Sequence, residues 1–329
     1  MKLKFIFVFL LAGIFGYSSY WFYLSINTGV FLEQATKDLS NQGISFEYTD
    51  YSVSGFPYRL EVTMENISIR FQNGPLSTQL VADRMEGIVH PWNFSHIIFL
   101  PENSVTTFAL GSNKQVTLSP EVARISFVSL KDGDYRLSFA MEKVEVNSKF
   151  DFPLPSYFET FSTHIRKQPN SETLTSSLLE PRLLEIALDG TFPDNTNFSV
   201  ATSFRGDEVP NLDRKTLAGW RDKGGTLEID SFTFQVGEKS YSGSGSFTLD
   251  EELKPLGSLG LVGVSNLELL TFFENIGMLG RQEASFLRDF LETLPNQDKE
   301  SMPLSLSIQG GFLTLGPARM IEVGSIIQE

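Results

Sequence analysis

The chain has 329 residues, of which 41% are hydrophobic and 20% are charged, so it can form one or two folded domains and is too polar for a multi-span membrane protein. Its 26 Lys and Arg residues are outnumbered by 40 Asp and Glu residues, and the net charge of -14 argues against nucleic acid as a partner. Cysteine is absent, which excludes disulfide frameworks, thiolate metal sites and cysteine nucleophiles.

The N-terminus carries two lysines, Lys2 and Lys4, followed by twenty uncharged residues from Phe5 to Leu24. At 1.5 Å per residue, a helix of this length spans about 30 Å, the thickness of a bilayer hydrocarbon core. Aromatic residues that favour the headgroup level crowd its far end: Tyr17, Tyr20, Trp21 and Tyr23. Residues 1–26 are therefore predicted to be a cytoplasmic tip and a transmembrane anchor.

The lysines flank the near end of this segment, and positive flanks stay in the cytoplasm. The rest of the chain is then expected in the periplasm, attached to the inner membrane by one pass. A cleaved signal peptide is the alternative, because Gly16 and Ser18 are small residues at a possible cleavage site.

Two periodicities follow the anchor. Residues 27–43 carry apolar residues at helical spacing and predict an amphipathic stalk helix that continues from the anchor. From residue 44 the apolar period becomes two, so residues 44–150 are predicted to be an N-terminal β-rich part.

Three local signals refine the strand prediction. The apolar phase flips at Asn66, which indicates a bulge or bend in a long strand. Asp132–Gly133 lies between two alternating runs and predicts a hairpin. The alternating Ser/Gly run over residues 242–246 imitates a nucleophile elbow, but its strand-like flanks favour a hairpin or a strand edge.

Residues 151–181 are rich in proline and predict a connection, with a short helix from Ser156. A second β-rich part is expected over residues 182–329, with helices at about 265–294 and a shorter one around residues 212–223. The predicted fold class is mainly β (α+β). An N-terminal transmembrane helix precedes an extended antiparallel β-sheet body with a few covering helices.

The helices at about 265–294 carry a large apolar surface. On a closed β body this surface would seal the core, whereas on an open, Phe-lined sheet it would cap a groove for a lipid or another apolar ligand. The 29 phenylalanines of the chain suit either arrangement. The predicted ligand-binding residues of this cap are Leu270, Phe273, Met278, Phe286 and Phe290.

Two short motifs contain unusual residues. Gly55–Phe56–Pro57–Tyr58 predicts a chain corner with an aromatic plug. The segment from His90 to His96 suits either a metal or acid–base site or a turn with a buried Trp92, and the lack of a third nearby ligand favours the turn. The residues predicted to be structural are Gly55, Phe56, Pro57, His90, Pro91, Trp92 and His96.

Motifs whose chemistry fixes their spacing are missing from the sequence. It has no nucleophile elbow, dinucleotide-binding glycine pattern, P-loop or H-E-x-x-H zinc motif. We therefore expect a protein that is not an enzyme, with no catalytic residues, no bound metal and no cofactor.

Three ordered motifs resemble those of a bacterial family catalogued as a domain of unknown function. They are Gly55–Phe56–Pro57–Tyr58–Arg59, the cluster of His90–Pro91–Trp92–Asn93 with His96, and the run from Pro303–Leu304 to Leu315–Gly316. The resemblance covers most of the chain and implies a single-anchor envelope protein.

The C-terminal part is also similar to AsmA-type proteins, in the run from Ser244 to Asp250 and at Gly310–Gly311. These are anchored envelope proteins with long, β-rich, groove-like bodies implicated in lipid handling. Neither resemblance supplies catalytic residues.

Two functions follow from these observations. The first is a membrane-anchored envelope protein that binds lipid or another apolar ligand in a Phe-lined groove. The alternative is a structural scaffold or assembly factor of the cell envelope that acts through a protein partner. A continuous Phe-lined groove would favour the first, and a closed core with an exposed apolar helix face would favour the second.

Overall fold

The structure is a computed structural model. It describes residues 2–111, 114–130, 133–150, 155–167, 182–193, 196–207, 209–236, 239–263, 266–275, 279–293 and 304–323. Far more of these residues lie in strands than in helices, which confirms the mainly β class.

The described helices are α1 (Lys2–Asn41), α2 (Arg214–Asp222), α3 (Asn266–Asn275) and α4 (Arg281–Glu292). The first nine strands are β1 (Ile44–Glu47), β2 (Asp50–Ser54), β3 (Leu60–Asn73), β4 (Leu76–His90), β5 (Asn93–Glu102), β6 (Val105–Leu110), β7 (Lys114–Ser129), β8 (Tyr135–Ser148) and β9 (Tyr157–Lys167). The remaining strands are β10 (Arg182–Thr191), β11 (Asn197–Arg205), β12 (Thr226–Val236), β13 (Lys239–Leu249), β14 (Pro255–Gly263), β15 (Leu304–Gln309), β16 (Phe312–Leu315) and β17 (Ala318–Glu322).

All of these strands belong to one antiparallel sheet. From β7 to β17 each strand pairs with the next one along the chain. Near the start, β1 and β2 pair with different halves of β3, and β5 and β6 together bridge β4 and β7. The body is therefore a long up-and-down meander in which two positions are each occupied by a pair of short strands.

Pairing continues through the segment expected to connect two β-rich parts. The short helix predicted from Ser156 is wrong, because Tyr157–Lys167 forms β9 and pairs with both β8 and β10. Two neighbouring strands with open edges favour a third strand here, since an unpaired edge leaves backbone groups without partners.

Bulges explain the phase flips of the sequence. The register of β3 and β4 passes from Glu65 and Arg84 to Ile67 and Ala82, which omits Asn66, whose φ is 50°. This confirms the bend predicted at Asn66. The antiparallel pairing of β7 with β8 likewise confirms the hairpin predicted at Asp132–Gly133, although Asp132 itself lies outside the described residues.

The Ser/Gly run over residues 242–246 lies inside β13, between β12 and β14, and not at the predicted hairpin or strand edge. A Cβ on Gly245 would lie 2.1 Å from the carbonyl oxygen of Ser258, and one on Gly243 would lie 2.3 Å from that of Gly260. Glycine is therefore required, because the two backbones approach more closely here than a side chain permits.

Helices cover the two ends of the sheet. Helix α1 is continuous through the predicted anchor and stalk, and its Trp21 and Leu24 pack against Leu60 of β3 and Val89 of β4. At the other end α3 and α4 form a core with the strands from β12 to β17. Helix α2 packs its Trp220 against residues near β11 and β13.

The sheet curls rather than lying flat. The backbone N–H of Leu212, just before α2, donates a 2.8 Å hydrogen bond to the side-chain oxygen of Asn73 at the β3–β4 turn. A Cβ on Gly74 in this turn would meet the carbonyl oxygen of Leu212 at 1.9 Å. Two connections far apart in the sequence are thus in direct contact.

Candidate functional site

One face of the central strands is apolar over a continuous area, which we call the central apolar face. Side chains at paired positions of an antiparallel sheet lie on the same face, so the register defines rows that cross the strands. Three such rows cross β7, β8, β9, β10 and β11: Phe127–Leu137–Ile165–Ile186–Thr202, Ile125–Phe139–Thr163–Leu188–Val200 and Ala123–Met141–Phe161–Gly190–Phe198. With strands about 4.8 Å apart, each row extends over about 19 Å.

The central apolar face is only partly covered. All but two of its side chains, including Phe139 and Leu188, are of intermediate exposure; Ile125 and Gly190 are buried. Among the described elements, the helices make their main sheet contacts with β1, β2, β3, β13 and β17. No described helix therefore seals the middle of the sheet as α3 and α4 seal its end.

None of the three rows contains an ionisable side chain. Charged side chains of the same strands lie on the other face, such as Arg124 of β7 and Glu142 of β8, whose charged groups are 3.8 Å apart. At the bulge beside them, Lys143 forms an ion pair with Glu121 at 2.8 Å, and this hydrogen bond raises the pKa of Lys143. Two shallow depressions of about 630 and 430 Å³ also lie on that polar face, the first beside Tyr157, whose pKa is raised by burial. The two faces of the sheet are therefore chemically distinct.

Four phenylalanines close one end of the central apolar face. Phe158, Phe161, Phe192 and Phe198 have neighbouring ring centroids 5.1 to 6.5 Å apart. A Cβ on Gly190 would meet the Phe198 ring at 2.2 Å, so this ring lies directly over the glycine. The cluster joins the core beneath α3 and α4 to the central strands through Phe192 and Phe198.

The predicted cap does not line one open surface. Leu270 is fully buried and Phe273 is nearly so in the core, Phe290 is half-buried, and Phe286 is 53% exposed. Met278 lies outside the described residues. Helix α4 instead buries Ala284, Leu287 and Leu291, a stripe at helical spacing that leaves Phe286 on the solvent side.

The two unusual motifs meet at helix α1. The Tyr17 hydroxyl donates to the carbonyl of Pro57, and the Tyr20 hydroxyl donates to that of Pro91 over 2.9 Å. The indole N–H of Trp21 donates to the carbonyl of Arg59, also over 2.9 Å. The turns at Gly55–Arg59 and His90–Trp92 are therefore held against the aromatic end of the apolar helix.

The prediction that Trp92 is buried is wrong. Its side chain is 64% exposed and stacks on His90, with ring centroids 5.1 Å apart, while Pro91 is the buried residue of this turn. In the other motif Phe56 packs on Trp21 and Phe22 of α1. Trp21 is the aromatic residue that is buried here. Its indole N–H can leave water because it is hydrogen-bonded to the Arg59 carbonyl.

The histidines of the second motif have separate neighbours. His90 Nδ1 lies 3.4 Å from the carbonyl oxygen of Tyr58, and His96 Nε2 lies 3.0 Å from the Ser126 hydroxyl. Within the part of the chain that the structure describes, no three His, Asp or Glu side chains are grouped to hold a metal ion.

Sequence reasoning missed the central apolar face as a site. Alternation predicts strands over residues 44–150, but it does not identify Phe139 or Leu188 as part of a binding surface. No signal in the sequence could have found them, because alternation within one strand does not give the register between strands.

A family model described as "Uncharacterized protein conserved in bacteria (DUF2125)" matches residues 21–323. The chain belongs to this family. The DUF2125 match covers the whole sheet and begins at Trp21, where α1 starts to pack on the body. No curated protein and no solved structure matches the chain, so the similarity to AsmA-type proteins stays a prediction.

One helix of this DUF2125 protein, from Lys4 to Asn41, is long and apolar enough to cross a membrane. From Phe5 to Phe15 its large apolar side chains are between 49% and 82% exposed. Length and composition of this kind also fit a signal sequence.

Proposed function

We propose that this protein is a non-enzymatic, membrane-anchored envelope protein that binds an acyl chain of a lipid, or a similar apolar ligand, on its central apolar face. The observation that carries the proposal is the set of three aligned, uncharged rows across β7–β11 that no described helix covers. A face of this kind has no acid–base group or nucleophile for chemistry, but it offers apolar contact to an occupant.

The energetics favour an acyl occupant. Burial of one methylene group contributes about 0.8 kcal/mol, so ten methylenes would contribute about 8 kcal/mol before the cost of ordering the ligand. The partly exposed phenylalanine and leucine side chains of this face would gain burial at the same time. A charged or strongly polar ligand would have no partner on this face.

The location follows from the N-terminal segment. Lys2 and Lys4 favour a cytoplasmic start, and α1 would then place the sheet in the periplasm, on the far side of the inner membrane. Such a protein would hold its ligand close to the bilayer from which a lipid comes.

Native mass spectrometry of the full chain, extracted from envelope membranes in detergent, tests the proposal. We expect co-purified lipid on the wild type and a several-fold loss of it in Phe139→Asp, because a carboxylate in the middle row would be desolvated by an acyl chain. The matched control is Ala140→Asp, on the next residue of β8 and on the opposite, exposed face.

A folded wild-type protein that carries no lipid, or equal lipid on both variants, would contradict the proposal. Circular dichroism reports whether Phe139→Asp is folded. If it is not, Leu188→Asn places a smaller polar group in the same row, with the same loss expected.

A scaffold role with a protein partner is the second candidate. It is favoured by the exposed side chains of Leu267 on α3 and Phe286 on α4, which are 44% and 53% exposed. Under this alternative, Phe286→Ser would remove cross-links to an envelope protein and leave bound lipid unaffected.

A further inference from the structure

Five exposed aromatic residues surround the point where α1 meets the sheet, and we call them the aromatic collar. Tyr58 is 75% exposed and Trp92 is 64% exposed, and the others are about half exposed. The collar consists of Phe22 on α1, Phe56 and Tyr58 on the β2–β3 turn, and Trp92 and Phe94 at the β4–β5 turn.

The length of α1 fixes how close the collar lies to a bilayer. The twenty apolar residues from Phe5 to Leu24 are needed to cross a hydrocarbon core of about 30 Å. The body already contacts the helix at Tyr17, through Pro57. The twelve residues before that contact, Phe5–Gly16, extend over only about 18 Å.

This difference places the two turns at the bilayer boundary. Leu24 is seven residues beyond Tyr17, so a fully embedded Phe5–Leu24 segment would draw the Pro57 turn about 10 Å into the outer boundary region. Amphipathic rings with polar tips, such as those of Tyr58 and Trp92, are favoured at this depth.

The net charge of the chain also indicates that any contact with the membrane is apolar and not electrostatic. The net charge of the chain is -14, so anionic headgroups would repel the body rather than attract it. Contact between this body and a membrane must then come from apolar and aromatic burial. Such contact does not weaken when salt screens charges.

We propose that the aromatic collar is a membrane-docking surface whose occupant is the headgroup region of the bilayer that α1 crosses. The collar then holds the sheet upright on the membrane instead of letting it swing on the helix. This role requires α1 to span the bilayer, and it does not require the central apolar face to hold a lipid.

Docking would also orient the central apolar face. Its first row continues by register through Ile97 and Val89 to Leu60, which packs against Trp21. This first row would therefore begin at the bilayer surface, next to the collar. An acyl chain could pass from the membrane onto the central apolar face at this point.

Site-directed spin labelling of the full chain in vesicles of phosphatidylcholine and phosphatidylglycerol tests the docking surface. The chain has no cysteine, so single-cysteine variants carry one label each without background. Labels at Tyr58→Cys and Trp92→Cys report on the collar, with Phe9→Cys as the bilayer reference. Val209→Cys and Val262→Cys are controls at exposed positions away from the collar.

We expect the collar labels to be several-fold less accessible to a water-soluble nickel complex than the control labels, and more accessible to oxygen. This difference should persist in about 1 M salt. Collar labels as accessible to nickel as the Val262 label would overturn the proposal. The proposal would also be overturned if the collar labels were protected in native membranes but not in vesicles that contain only the labelled protein and lipid, since the occupant would then be another protein.

A failure of lipid binding leaves these readings unchanged, so the docking surface and the proposed function are tested separately. Both collar substitutions replace exposed side chains, and an unchanged melting temperature in detergent checks that the variants fold.

Discussion

The C-terminal end of the sheet and its middle have the same alternating sequence pattern but different surroundings. At the end, Leu270 of α3 and Leu287 of α4 are buried against the sheet. In the middle, Phe139 and Leu188 point to that same side of the sheet and stay partly exposed. The comparison shows that period-two alternation determines which face is apolar but not what covers it.

A covered face and an uncovered face differ in what they contribute. Under α3 and α4 the apolar side chains stabilise the fold, because their burial is complete in the folded chain. On the central apolar face part of that burial is left for another molecule, which is the physical basis of a binding surface. Substitutions under the helices should therefore destabilise the fold far more than substitutions on the central apolar face.

Replacement of Trp21, which packs α1 against the N-terminal end of the sheet, should have the largest effect on the free energy of unfolding. Trp21→Ala removes a side chain that is 4% exposed and its hydrogen bond to Arg59, and it should lower the free energy of unfolding by about 3–5 kcal/mol. Trp92→Ala, at an uncovered position, should change it by no more than about 0.5 kcal/mol. Chemical denaturation of the full chain in detergent, followed by circular dichroism, measures the free energy of unfolding of both variants. Equal decreases would contradict the conclusion that Trp21 is part of the core and Trp92 is not.

A smaller difference in stability is expected between a residue under α4 and a residue on the central apolar face. Leu287→Ala creates a cavity between α4 and the sheet and should cost about 2–5 kcal/mol. Leu188→Ala, on the central apolar face, should cost less, about 1–2 kcal/mol in lipid-free protein, because its side chain is only partly buried. The same denaturation measurement applies, and a larger loss for Leu188→Ala would show that the middle of the sheet is sealed.

The close approach of β13 and β14 should depend only on the glycines whose Cβ position faces the neighbouring backbone. Gly245→Ala places a Cβ 2.1 Å from the Ser258 carbonyl oxygen and should cost about 1–3 kcal/mol. The control is Gly260→Ala on β14, where the nearest atom would be 4.0 Å away and the change should stay within about 0.5 kcal/mol. Similar melting temperatures for the two variants would argue against the close approach of these strands.

The smallest effect on stability is expected on the solvent side of α4. Phe286→Ser replaces an exposed side chain of α4 and should change the free energy of unfolding by less than about 0.5 kcal/mol. Bound lipid should also be unchanged. A loss of lipid from this variant would mean that α4 takes part in binding, as the sequence predicted for this residue.

Much of the fold could be predicted from the sequence. Alternation located the strands, the phase flip located the bend at Asn66, and two apolar stripes located α3 and α4. These features are local, because they depend on side-chain periodicity within a few residues. The family was also predicted, from motifs around Gly55 and His90.

Long-range contacts could not be predicted in the same way. Trp92 was expected in the core, but α1 covers these strand ends with Trp21 and leaves Trp92 outside. Residues from Ser156 were expected to form a helix, but neighbours on both sides draw them into the sheet. The candidate site depends on the same kind of information. Only the register shows which strands align their apolar residues, and only the tertiary contacts show that no described helix covers them.

Photocross-linking can show whether the uncovered middle of the sheet holds an acyl chain. The full chain is incubated in vesicles that contain a phospholipid with a photoreactive acyl chain, and the labelled peptides are mapped by mass spectrometry. We expect labels on β8, β9 and β10, at or next to Phe139, Phe161 and Leu188. Labels confined to α1, or spread equally over the polar face around Ala140, would contradict it.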